Sequence, residues 1–194
     1  MTTIRVAALL TLVALVCLPV ALTGYLDGPF PGMTGGFGEP TCQKCHWDNG
    51  LNEPPGSLTV AGIPSSYTPG RRYPITITLR RPDMTRGGFE MSARFAGGRV
   101  AGQQAGGLTA PDPARMKVIQ SDDRKLRFIQ HTKAGATADP AGALRWMVEW
   151  QAPDKPSDAV IFHVAANASN ADDSPLGDYI YTAQRRSAPG AATR

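Results

Sequence analysis

Strict alternation of apolar and polar side chains is the feature that most limits what this chain can become. Tyr73 to Leu79 reads YPITITL: Tyr73, Ile75, Ile77 and Leu79 share one parity, and Pro74, Thr76 and Thr78 the other. Gly88 to Ala96 sets Phe89, Met91, Ala93 and Phe95 against Glu90, Ser92 and Arg94, and Leu144 to Trp150 sets Leu144, Trp146, Val148 and Trp150 on one face. A period of two places alternate residues on opposite faces of a pleated strand, whereas a helix requires a period near 3.6. Ser57–Ala61, 115–120, 125–131, 158–166 and 178–182 complete about eight such segments. The turn-rich Thr68-Pro69-Gly70 and Ser121-Asp122-Asp123 separate them, within a composition of 21 Gly and 17 Pro. Many short strands at close spacing, with no long amphipathic helix, predict an all-β, antiparallel β-sandwich.

The sandwich is expected over 56–184. Residues 25–55 are rich in Gly and Pro with no period, which predicts an irregular lead-in, and 185–194 are small and polar, which predicts a disordered tail. Residues 1–24 carry one charge, Arg5, then the apolar run Val6 to Leu22, then small and polar residues. That is the pattern of a cleaved signal peptide, too short and too interrupted by Pro19 for a membrane span. Export to a periplasmic, extracellular or cell-surface location is the expectation, with no stable span after cleavage. It leaves Cys42 and Cys45 as the cysteines of the mature chain.

Those two fall in Cys42-Gln43-Lys44-Cys45-His46, a C-x-x-C-H sequence. A disulfide across so small a gap closes a tiny loop and restricts the unfolded chain little, so a structural purpose is weak. Thiols three residues apart on one turn can instead add to the two vinyl groups of one porphyrin, with the adjacent imidazole as iron ligand. This is the c-type haem attachment pattern. A tetrahedral zinc site would need Cys42, Cys45 and two histidines. A redox dithiol expects a helix start in an α/β fold, and neither is visible here, so that reading ranks lower. One covalent haem c is therefore expected at Cys42, Cys45 and His46, with His46 as proximal ligand.

The sixth iron position has two histidine candidates, His131 and His163. His131 ends its strand, facing away from Leu126 and Phe128; His163 lies with Ile161 and Ala165 on a face that a porphyrin could cover. Methionine sulfur also ligates haem iron. Met33 and Met91 are candidates, although Met91 alternates with Phe89 and Phe95 as core, and Met147 has no better claim. The polar stretch Asn167 to Asp178 lacks the spacing of a calcium loop and reads as an acidic connection. The net charge of +4 is scattered, with no basic stripe, which argues against a nucleic-acid partner.

Several stretches together carry a family resemblance. Tyr67-Thr68-Pro69-Gly70 leads into the Tyr73 strand, Gly88-Phe89-Glu90-Met91 into the next, and Ile129-Gln130-His131-Thr132 follows. Trp150 with Ala152-Pro153, Ala166-Asn167-Ala168-Ser169-Asn170 and Gly177-Asp178-Tyr179-Ile180-Tyr181 come later. In this order they resemble the bacterial choice-of-anchor V secreted domain, itself similar to the Reeler domain of animal extracellular proteins, over about Gly38 to Thr182. The resemblance implies an Ig-like sandwich in an exported protein, with one haem c at the C-x-x-C-H ahead of it. It also implies His131 rather than His163 as the distal ligand.

The expected function is that of an exported monohaem electron carrier with bis-His ligation and an unidentified redox protein partner. No second catalytic constellation is visible, which favours a carrier over an enzyme. An open distal site would make it a haem sensor or oxidoreductase. A non-redox extracellular binding or adhesion module is the alternative of a different class.

Overall fold

A computed structural model describes residues 25–190; the expected signal peptide, with Cys17, lies outside them. Ten strands and three short 3-10 turns form the described chain, with no α-helix among them. The strands are β1 (Ser57–Ala61), β2 (Ser66–Tyr67), β3 (Arg72–Arg80), β4 (Arg86–Phe95), β5 (Gly107–Thr109), β6 (Met116–Gln120), β7 (Arg127–His131), β8 (Ala143–Gln151), β9 (Val160–Ser169) and β10 (Tyr179–Pro189). They make two sheets, ordered β1-β3-β8-β5 and β2-β10-β9-β4-β7-β6. All pairings are antiparallel except that of β2 with β10.

The all-β sandwich expected from the alternation is therefore present. Ile75, Ile77 and Leu79 of β3 and Leu144, Trp146, Val148 and Trp150 of β8 face Phe89, Met91 and Ala93 of β4 and Phe162 and Val164 of β9 in one buried cluster. Trp150 meets the Phe162 ring edge-on at 4.8 Å and stacks on Tyr73 at 5.6 Å. Its indole N–H donates to the Ala105 carbonyl (2.9 Å), and that of Trp146 to Gly135 (2.9 Å), so neither indole is buried with an idle donor. Burying each large apolar side chain contributes about 1.5–3 kcal/mol, so this layer dominates the fold's stability.

One local expectation is corrected and two features are added. β2 and β5 have too few residues, and too little alternation, to announce themselves. The last strand continues to Pro189, because residues 185–189 pair with β9 and β2; they are strand and not a disordered tail. The polar face of β4 does not meet solvent: Glu90, Ser92 and Arg94 are as buried as the core face.

What buries them is the lead-in. Residues 25–52 cross the outer face of the six-stranded sheet as a strap. Asp27 pairs with Lys117 (2.5 Å) on β6 and accepts the Lys133 N–H (3.0 Å). The Met33 N–H donates to Glu90, the Thr34 hydroxyl lies 3.4 Å from that of Ser92, and Glu39 pairs with Arg94. Gly36 rests directly on His163, where a Cβ would sit 2.5 Å from Nδ1, so no larger residue fits without moving one of the two. The strap ends against the free edge of β10: Leu51 bridges Ile180, the Asn52 N–H donates to the Ile180 carbonyl (2.8 Å), and Asn52 Oδ1 accepts from the Thr182 N–H (2.8 Å).

Candidate functional site

Cys42 to His46 forms one helical turn within the strap. Thr41 caps it, its hydroxyl accepting the Gln43 N–H at 3.2 Å, as Ser and Thr do at helix starts. The Cys45 and His46 N–H groups both donate to the Cys42 carbonyl, at 3.2 and 3.1 Å. Gln43 Nε2 donates to the Asn49 carbonyl (2.9 Å), tying the turn to the chain that leaves it. The two cysteines, at i and i+3, are therefore neighbours on one turn, and both are free thiols. They are not equivalent. Cys45 is exposed. Burial pushes the Cys42 thiol up to about 12, with the neighbouring Glu90 carboxylate adding to the rise.

His46 is turned back onto the sandwich. Its Nδ1 lies 2.8 Å from Asp178 Oδ2 and 3.2 Å from the Pro175 carbonyl. Both partners are acceptors, so Nδ1 carries the proton and Nε2 the lone pair. Asp178 is almost fully buried at the start of β10. Its Oδ2 also accepts from Asn167 Nδ2 (2.8 Å), and its backbone carbonyl from Asn49 Nδ2 (2.9 Å). Asn167 Nδ2 also approaches the His46 ring, 3.5 Å from Nδ1 and 3.3 Å from Nε2. Asp48 Oδ2 accepts the Gly177 N–H (2.5 Å), locking the turn onto the loop before β10. Trp47 and Leu176 flank this junction and are exposed.

The distal candidates occupy different surroundings. His131 is buried, and burial holds it below the usual histidine range, so its imidazole is neutral. Its Nδ1 accepts the Phe89 N–H (3.0 Å) and lies 3.2 Å from the Phe89 carbonyl. The ring lies on Gly88, where a Cβ would sit 2.1 Å from Cε1; glycine is what makes room for it. Gly88 pairs directly with Asn167 across β4 and β9. The histidine of the turn and the histidine of β7 thus both approach one register position of the sheet, His46 through Asn167 and His131 through Gly88.

His163, half-buried on β9, lies under the strap, with the Phe37 ring edge-on at 5.5 Å and Gly36 on top. Burial lowers its basicity. The face expected to receive a porphyrin is here occupied by the chain's own residues. Met91 is core, Met147 is exposed on the other sheet, and Met33 enters the polar layer through its backbone. The Asn167 to Asp178 loop spends its carboxylates locally: Asp172 accepts from the Ser174 N–H (2.9 Å) and Asn170 Nδ2 (3.0 Å), and Asp173 pairs with Arg86 (3.0 Å). Among the described residues no group of three or more His, Cys, Asp or Glu is placed to hold a metal ion, so neither a zinc set nor a calcium cage is assembled.

The sequence does not point to Asp178, Asn167 or Glu90. The first two lie 132 and 121 positions from His46 along the chain, and only the fold brings them there. For Glu90 there is a signal: a Glu-Ser-Arg face on a strand otherwise apolar enough for the centre of a sheet. Glu90 is fully buried, and burial pushes its carboxyl up to about 8 against an ordinary 4.5, with Glu39 adding to the rise.

No family model matches this chain, and no curated protein does so either. Solved structures do. The Reelin-N domain of F-spondin is similar over 77% of this chain and 97% of its own, at 18% identity and a TM-score of 0.50. The human F-spondin reeler domain is similar over 74% of this chain and 95% of its own, at 19% identity and a TM-score of 0.50. The fold is Reeler-like. At this identity the likeness carries the sandwich and not its chemistry. No helix among the described residues is long and apolar enough to cross a membrane.

Proposed function

We propose that the chain is an exported one-electron carrier holding one haem c at Cys42, Cys45 and His46. The observation that carries this reading is the capped single turn, with both thiols free and the His46 Nδ1 held by acceptors, so that Nε2, which only the Asn167 amide approaches among the described residues, is the nitrogen that would ligate. A metal-bound histidine ordinarily donates its other ring N–H to a carboxylate or carbonyl, as His46 does. When bound, the haem supplies a ferric–ferrous couple.

The chain's own residues would do the rest. Cys42 and Cys45 would hold the porphyrin covalently, and Asp178 and Pro175 would fix the ring of His46. His131 is the proposed distal ligand. In the structure its Nδ1 accepts the Phe89 N–H, so ligation through Nε2 would require the ring proton to move to Nδ1 and be donated to the Phe89 carbonyl 3.2 Å away. A one-electron redox protein is the partner class this chemistry requires.

The alternative, a non-redox extracellular module, is supported by the Reeler-like fold alone. Expression in a bacterial host that exports the chain and attaches haem decides between them. A red protein whose intact mass exceeds the polypeptide by one haem, resistant to denaturation, is the expected result. A colourless protein of unmodified mass overturns the haem reading in favour of the alternative.

A further inference from the structure

We infer that Asp178 is a positioning residue that sets the iron potential of this site by giving His46 anionic character. The inference rests on the haem reading above and adds what the turn alone does not supply.

Asp178 is 1% exposed, and no lysine or arginine pairs with it in the described residues. Its partners are the His46 Nδ1–H and the Asn167 amide, both neutral donors, and its Oδ1 has no partner at all. A buried carboxylate supported so sparingly pulls strongly on the one proton that it shares with an imidazole. Pro175 offers the same nitrogen a neutral carbonyl at 3.2 Å, longer than the 2.8 Å contact with Asp178. Of the two acceptors the anion therefore dominates.

A ligand histidine bonded to a carboxylate is more basic than one bonded to a carbonyl. A more basic ligand, with a negative charge behind it in a low-dielectric setting, favours the ferric state over the ferrous. Asp178 thereby fixes the tautomer and orientation of His46 and biases the carrier toward low potential. A purely structural Asp178 would do neither; it would only fasten Asn49 and Asn167 to the start of β10.

The test uses the full chain matured with haem. Asp178→Asn keeps the size and an acceptor oxygen but removes the charge. Its midpoint potential should rise by about 59 mV or more, the equivalent of a tenfold shift in a one-electron equilibrium. Asp178→Glu, which restores the charge, should fall back toward the wild-type potential. In the unmodified wild-type chain, nitrogen NMR should show His46 protonated on Nδ1. A haem-bearing Asp178→Asn with unmoved potential overturns the inference alone, and so does a His46 protonated on Nε2 should the variants fail to fold. A wild-type chain that never acquires haem overturns the proposed function and this inference with it.

Discussion

Asn167 and Gly88 face each other across β9 and β4, and each carries one histidine of the candidate site: His46 against the first, His131 over the second. The pairing makes two positions 79 residues apart in sequence neighbours on one sheet. It makes His131 testable as a ligand without touching the motif.

Gly88→Ala should displace the His131 ring, because the new methyl would lie 2.1–2.6 Å from three of its atoms. Overpacking of this kind costs about 1–3 kcal/mol. Thermal unfolding should register the loss. In the haem-bearing protein, Gly88→Ala and His131→Ala should both weaken the low-spin absorption spectrum; an unchanged spectrum in His131→Ala would sink the assignment of the distal ligand.

Arg94→Ala should loosen the strap. Arg94 is buried, pairs with Glu39 and lies over the Phe37 and Phe128 rings at 5.4 and 5.1 Å. Removing one member of a fully buried pair costs about 3–5 kcal/mol; Glu39, the partner left behind, is only half-buried and keeps its Thr34 hydrogen bond, so the loss should fall below that range. Limited proteolysis within 25–52 should accelerate, with the sandwich fragment remaining folded.

Glu90 should make stability fall with rising pH. Folded, it keeps its proton up to about pH 8; unfolded, only to about its ordinary 4.5. Between those values the folded state holds the extra proton, so each pH unit removes up to about 1.4 kcal/mol. Cys42, Glu39 and Arg94 are the charged or titratable groups facing it. Chemical denaturation of wild type and Glu90→Gln across this window should show the slope in the first and its loss in the second.

In the chain without haem, an alkylating reagent should label Cys45 first. Cys45 is exposed, whereas burial keeps the Cys42 thiol protonated to about pH 12. Thiolate is the reacting form. Mass spectrometry of the partly labelled peptide should place the adduct on Cys45; equal labelling of both would contradict the difference between the half-buried Cys42 and the exposed Cys45.

The sandwich was legible because its physics is local. Ile75, Ile77 and Leu79 announce their face by alternation, and the structure buries all three completely. The C-x-x-C-H turn was legible for the same reason, since its bonds span at most four residues. The polar layer was not. A Glu-Ser-Arg face reads as solvated until something covers it, and the irregular 25–55 segment has no period to reveal that it does so. Nor could spacing reveal Asp178 beside His46, a contact made by the strap's path and the start of β10 together. β2 and β5 were missed because two or three residues carry no periodic signal.

The way the strap ends has a bearing on solubility. β10 is the long outer strand of its sheet, and an open strand of that length invites another copy of the chain to zip onto it. Here Leu51 and Asn52 occupy one end of that strand, at Ile180 and Thr182, and Ser66–Tyr67 occupy the other, at Ala188 and Pro189. The stretch between carries Gln184, Arg185 and Arg186. Two short guards thus cover both ends of that edge and a pair of like charges marks the stretch between, so the segment that bears the C-x-x-C-H turn also shortens the strand edge open to pairing.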